Sequence, residues 1–198
     1  MNEQIKRHFR LYLWLYIVTL IFSIVLITHI FSLLSRVKET EKLSIFIAAD
    51  DVAYSRLSED FKLDTTKKIE VDYYDPNDNL FNKVLLTRGV NFTDIIILPV
   101  SLLDNIRIMS NFKILDYEVI KKYIEIEESD IFTYNGKLYG IPIYDGSNGY
   151  LDSYINYNNE PYVLLFNIDS KNIDNLNRKK EHNNALLWLK KVFEEKNV

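Results

Sequence analysis

The sequence predicts an α/β fold: a single N-terminal transmembrane helix, then one open α/β domain with a βαβαβ start. Three observations carry this. Leu11 to Ser35 contains no Asp, Glu, Lys, Arg, Gly or Pro. After it, short apolar runs of strand length alternate with helical periodicity. The third of these runs, Asp94-Ile95-Ile96-Ile97-Leu98-Pro99, is apolar on both faces, as strands of a parallel sheet are.

The apolar stretch comes first. At 1.5 Å per residue its 25 residues span about 37 Å as a helix, against a hydrocarbon core of ~30 Å. A helix satisfies its own backbone groups, as lipid demands. A cleaved signal peptide has a shorter apolar region and a small-residue cleavage site, whereas the flank here is Ser35-Arg36-Val37-Lys38. A retained anchor is therefore expected. Lys6, Arg7 and Arg10 crowd its N-terminal end, with Tyr12, Trp14 and Tyr16 at interface depth. The positive-inside rule then places the N-terminus in the cytoplasm and the domain outside the cell, in a single-pass protein of the cell membrane. The expected organisation is a cytoplasmic tail (1–10), a transmembrane anchor (11–35), a stalk (36–42) and an extracytoplasmic domain (43–198).

Charge divides along the same line. Residues 1–42 carry six Lys/Arg and three acids; residues 43–198 carry 18 basic and 25 acidic groups, net -7. An acidic domain is a poor partner for phosphate backbones, so no nucleic acid is expected. There is no cysteine, which excludes disulfides, thiol catalysis and zinc–cysteine sites. His8, His29 and His182 lie on three separate elements and form no metal cluster; His29 reads as interfacial or as a functional group within the span. No metal and no cofactor are expected. Neither GxGxxG nor GxxxxGK[ST] occurs, so nucleotide binding lacks its phosphate loop.

Within the domain, Leu43 to Ala49 is the first strand and stops at Asp50-Asp51. Val52 to Leu63 spaces Ala53, Leu57 and Phe61 by four, an amphipathic helix. Lys68 to Tyr74 is the second strand, ended by the turn Asp75-Pro76-Asn77-Asp78. Leu80 to Thr87 reads as a helix with Leu80, Val84 and Leu85 inward, closed by Gly89. Ser101 to Ser110 and Tyr117 to Glu125 are further helical candidates. Asn135-Gly136 marks a tight hairpin, because both central positions of a type I′ turn need positive φ. Asp145 to Glu160 is polar, aromatic and Asn-rich, and reads as a connection rather than core. Pro161 to Ile168 is a strand, 169–181 a polar loop, and Asn183 to Lys196 a final amphipathic helix around Trp188.

In open α/β sheets the ligand crevice lies beyond the carboxyl ends of the strands. That rule selects Asp50, Asp51 and Tyr54, then Tyr74 and Asp75, then Pro99 and Ser101. Asp50 and Asp51 are equally candidates for capping the next helix. A carboxylate-pair hydrolase using Asp50 or Asp51 with Asp145 is conceivable chemistry, but no pair is distinguished by spacing and no nucleophile motif is present. No enzymatic activity is expected.

The order of the pieces carries a resemblance. An apolar strand opening on Asp50-Asp51, then IEVDYYD, then DIIILP, then Tyr134-Asn135-Gly136-Lys137-Leu138-Tyr139-Gly140-Ile141-Pro142, resembles the first lobe of extracellular solute-binding proteins of ATP-driven importers, the maltose- and polyamine-binding branch in particular. In that family the hairpin leads into the hinge. PYVLLFNIDSKN with the Ala185–Phe193 helix is similar to the family's late return to the first lobe. The resemblance implies a periplasmic-binding-protein-like lobe, a small solute of sugar or polyamine class, and an importer permease or other membrane protein as partner. It implies ligand contacts from Asp50, Asp51, Tyr54, Pro99, Ser101, Tyr144 and Asp145. Family members are about twice as long and close two lobes; here only residues 143–160 stand where a second lobe belongs, which reads as a single-lobe relative. A competing alignment makes Pro161–Asp169 the first strand of a truncated second lobe. Tyr144 and Tyr150 serve equally to cover the sheet where the second lobe is missing. A degenerate lobe, acting as an interaction or structural module at the membrane surface, is the alternative function.

Overall fold

The computed structural model describes residues 3–34, 37–103, 109–173 and 183–195. The chain forms two compact units, Met1–Val37 and Lys38–Val198.

The first unit is one helix, α1 (Glu3–Leu34). Its stretch Tyr12–Ser32 is long and apolar enough to cross a membrane. Three of its hydroxyls are absorbed by the helix itself: Thr19, Ser23 and Thr28 donate to the carbonyls four residues back at 2.9, 2.8 and 2.7 Å. This back-bonding leaves those hydroxyls no need of water.

The second unit is a six-stranded mixed sheet with helices on it, in the order β2-β1-β3-β6-β5-β4. The strands are β1 (Lys42–Ala48), β2 (Lys68–Tyr74), β3 (Ile95–Pro99), β4 (Phe132–Tyr134), β5 (Lys137–Tyr144) and β6 (Tyr162–Phe166). β1 lies parallel to β2 in unbroken register from Lys42↔Lys68 to Ala48↔Tyr74, and parallel to β3. β6 runs antiparallel to both β3 and β5. The apolar runs are explained by burial on both faces. Ile45 and Ile47 join a core with Ile95, Ile97 and Trp188, while Phe46 and Ala48 point into a second core with Phe81, Leu85 and Ile96. Each fully buried side chain of this size stabilises by roughly 1.5–3 kcal/mol.

The helices are α2 (Tyr54–Asp60), α3 (Phe81–Val84), α4 (Val100–Leu103), α5 (Tyr117–Ile120) and α6 (Asn184–Glu195). Leu57 of α2 and Phe61 just beyond it are fully buried, as their spacing predicts. The β4–β5 turn has φ 50° at Asn135 and 71° at Gly136, the two positive values expected of this dipeptide.

Several expectations need correction. Gly89 does not close the helix after β2: α3 runs on through a π-helical turn, Leu85–Val90. Gly89 stands there because a Cβ would sit 2.9 Å from Leu85 Cδ1 and 3.4 Å from the Phe46 ring. Leu80 points outward and Phe81 takes the inward place. Of the helix expected over 101–110, residues 100–103 are α4 and Met109–Asn111 a 3-10 turn; 104–108 lie outside the described residues. Of the expected 169–181 loop, 174–181 lie outside them too. Residues 145–160 are not a mere connection: Leu151, Ile155 and Tyr157 are buried in the first core. Residues 161–195 complete the sheet of this unit, with α6 burying Trp188, Leu189 and Val192, so β6 does not begin a second body.

The start of the unit is fastened by a buried polar cluster. Asp94 accepts from the Ser44 backbone N–H (2.9 Å), Ser170 Oγ (2.6 Å) and Asn172 Nδ2 (3.0 Å). Asn172 also donates to the carbonyls of Glu39 and Lys42, and Asn184 donates to the Thr40 carbonyl at 2.7 Å. Residues 39–42, expected as stalk, are thus built into the domain.

Candidate functional site

The carboxyl ends of β1 and β3 are crossed by residues 145–162 of the chain itself. Val52 and Ile155 form an antiparallel bridge. Ala53 N–H donates to the Tyr154 carbonyl at 2.8 Å, and Asn156 N–H donates to the Asp51 carbonyl at 3.1 Å. Asn156 Nδ2 donates to the Asp50 carboxylate at 3.2 Å. At β3, Val100 N–H donates to the Pro161 carbonyl at 2.9 Å. This strap is anchored from beneath by rings. Tyr157 lies parallel to Tyr144 at 4.2 Å between centroids and edge-on to Tyr162 at 4.9 Å. On its other side Tyr154 donates its hydroxyl to Asp60 at 2.8 Å and meets Phe61 edge-on.

The environment of these phenols is dry and negative. Burial, with Asp152 nearby, raises the Tyr157 hydroxyl far above the ordinary phenol range. Tyr162 is pushed up to about 12, chiefly by burial, with Glu160, Asp50 and Asp75 adding to it. Both effects penalise the anion, so these hydroxyls stay protonated.

The eight residues expected to touch ligand do not converge on one place. Asp50 and Asp51 are exposed and engaged by the strap at Asn156. They do not cap α2, whose N-cap is Ala53 with no side-chain bond. Tyr54 is half exposed and stacks on Tyr73 at 6.2 Å, toward the β2 edge. Asp75 accepts from Asn77 N–H at 2.8 Å in its own turn. Pro99 is buried in the ladder opposite Tyr162, and Ser101 is exposed on α4. Tyr144 is buried, and Asp145 accepts from the N–H groups of Ser147 and Asn148, each at 2.7 Å.

Two of the eight, Tyr144 and Asp145, meet in an open groove of about 1100 Å³ between the segment after α5 and the end of β5. Its other walls include Glu125, Glu127, Asp130 and Tyr150. Among the described residues no group of three or more His, Asp or Glu is arranged to hold a metal.

The residues that the sequence reading missed are Tyr154, Ile155, Asn156 and Tyr157. One signal was available: in Leu151-Asp152-Ser153-Tyr154-Ile155-Asn156-Tyr157 the apolar Leu151, Ile155 and Tyr157 fall at spacings that return to one side.

No family model matches the chain, and no curated protein matches it in sequence. A solved structure to which it is similar is the N-glycan transport solute binding protein (NgtS) of Streptococcus pneumoniae. The identity is 17% and the TM-score 0.37, over 52% of this chain and 25% of that one. The chain matches about a quarter of that protein's length.

Proposed function

We propose that the chain is a membrane-tethered, solute-binding-like α/β module that acts by docking to another membrane protein, not by enclosing a solute. The observation behind this is the strap. Where an open α/β sheet offers its crevice, Asn156 already bonds the Asp50 carboxylate and the Asp51 backbone carbonyl, and Tyr144 is covered by Tyr157. A ligand entering there must displace a buried aromatic pair and several hydrogen bonds. In this reading the apolar Tyr12–Ser32 helix is the tether, and Lys6, Arg7 and Arg10 before it favour a domain outside the cell. Tyr54 and Phe92, exposed on the domain, supply contact surface of the kind interfaces favour.

Two measurements test this reading. Titration calorimetry of the full chain in detergent against sugars, polyamines and short peptides gives no binding heat. Crosslinking in the native membrane gives a discrete adduct with another membrane protein. Saturable heat with a sugar, or no adduct at all, overturns it.

The 1100 Å³ groove favours a second reading, capture of a solute with amino groups. Its four carboxylates, Glu125, Glu127, Asp130 and Asp145, outnumber the Lys121 and Lys122 ammonium groups on the same walls, and with Tyr150 beside them they suit a polyamine-class cation, the ligand class of one branch the sequence resembles. Saturable heat with spermidine, lost in Glu127→Gln/Asp145→Asn, selects this reading.

A further inference from the structure

The two edges of the sheet differ. β4 is three residues long and its register against β5 shifts between Phe132 and Thr133. Short, irregular edges of this kind resist pairing. β2 is seven residues long, has no proline, and keeps unbroken register with β1. Among the described residues no strand lies beyond it. A groove of about 610 Å³ runs along this edge, with Tyr54 and Ser58 of α2 on one wall and Arg88 and Phe92 on the other. Phe92 is 76% exposed.

We infer that this edge pairs with the β2 edge of a second copy of the chain, antiparallel and two-fold symmetric about Glu70. The choice of occupant rests on charge. With Glu70 on the axis, Lys68 of each copy faces Asp72 of the other, and Ile69 faces Val71. Opposite charges and β-branched pairs across strands are both favourable. Centring the pairing on Val71 instead sets Glu70 against Asp72, like against like. The two Glu70 carboxylates that meet on the axis do not repel unrelieved. Each is already bridged by Lys42, whose ammonium takes no part in the pairing across the axis, so the two carboxylates keep two ammonium groups beside them while each Lys68 turns from Glu70 to the facing Asp72. The interface is isologous and closes on itself, joining two six-stranded sheets into one of twelve. The inference holds whichever reading of the strand-end crevice is correct, because β2's outer edge takes no part in the strap.

The chain has no cysteine, so introduced thiols report alone. Residues facing each other across antiparallel strands have Cα atoms about 4.5–5.5 Å apart, within disulfide reach. The full chain carrying Glu70→Cys, in detergent and mildly oxidised, is expected to give a covalent dimer as its main product. Glu127→Cys, exposed and away from β2, is the control and stays monomeric. Adding Lys68→Glu to Glu70→Cys lowers the crosslinked fraction at least threefold, and Lys68→Glu/Asp72→Lys restores it. Circular dichroism confirms that each variant is folded. A Glu70→Cys chain that crosslinks no more than the control overturns the inference. So does one that crosslinks in native membranes to a different protein instead of to itself.

Discussion

The ring of Tyr157 lies flat on that of Tyr144, centroids 4.2 Å apart and planes 5° apart. Tyr144 ends β5 just before the strap begins and Tyr157 lies within the strap, so their stack holds the strap over the sheet. The stack, not the hydroxyl, carries the stability, because the Tyr157 hydroxyl is buried without a hydrogen-bond partner among the described residues. Removing an unsatisfied buried hydroxyl is neutral or stabilising, whereas removing the ring leaves a cavity. Tyr157→Phe is therefore expected to keep or raise the unfolding free energy, and Tyr157→Ala to lower it by about 3–5 kcal/mol. Urea unfolding of the full chain in detergent, followed by near-ultraviolet circular dichroism, measures both. A Phe variant that loses more than about 1 kcal/mol refutes the account of the hydroxyl.

Gly149 holds the turn of the strap against Tyr144. Its N–H donates to Asp152 Oδ2 at 2.9 Å, and a Cβ there would sit 2.2 Å from Asp152 Oδ1 and 2.9 Å from Tyr144 Cδ2. Asp152 can retreat only by giving up that hydrogen bond. Gly149→Ala is expected to cost about 1–3 kcal/mol, the usual range for forced overpacking. If thermal unfolding shows it as stable as the parent chain, the strap is looser than this geometry.

Much of the domain was legible because its signals are local. The strand runs, the Leu57–Phe61 spacing and the Asn135-Gly136 turn each report their own conformation. The strap was not legible for the opposite reason. Asp145, Gly146, Ser147, Asn148 and Gly149 are turn formers, so composition announces a loop, and what buries Ile155 is a bridge to Val52, about a hundred residues earlier. Gly89 misled in the same way: it reads as a helix stop, yet the structure needs it for the close approach of Leu85 and Phe46. Asp50, Asp75, Ser101 and Asp145 do follow the ends of strands, but no local pattern announces that Asn156 would reach Asp50.

Alkali should unfold this domain through its buried phenols. The folded-state value of Tyr162 is raised to about 12 and that of Tyr157 is raised further, in each case mainly by burial, while the partly exposed Tyr154 is raised by burial and by its bond to Asp60 and contributes less. An unfolded Tyr titrates near 10. A raised folded value means that the native state holds its proton more tightly. The associated stability is complete below about pH 10 and is lost as pH rises toward 12 and beyond. Unfolding free energy should thus be flat from pH 8 to 9.5 and fall steeply above about pH 10. Tyrosinate absorbance should show an early group of exposed residues and a late group that titrates only with loss of structure. A single transition near pH 10 for all fourteen Tyr, with the fold intact, is the contrary result.

The heaviest single loss is expected at Asp94, far in sequence from both segments it joins. It is nearly buried and accepts from Ser44 N–H, Ser170 Oγ and Asn172 Nδ2, and Asn172 in turn accepts from Asn184 Nδ2 at 2.9 Å. Four segments are held here: the start of β1, the start of β3, the turn after β6 and the first residue of α6. Asp94→Ala leaves three donors facing a void. At about 1–3 kcal/mol for each buried group left unpaired, offset by local relaxation, a loss of about 3 kcal/mol or more is expected. Asp72 provides the contrast: it is partly exposed, 3.7 Å from Arg88, and Asp72→Ala should change stability by less than about 0.5 kcal/mol. Equal losses at the two positions in urea unfolding show that Asp94 is an ordinary surface acid and that the cluster does not fasten the ends of the sheet. A large loss at Asp94 alone, with Asn172→Ala in between, is what a connected buried network requires.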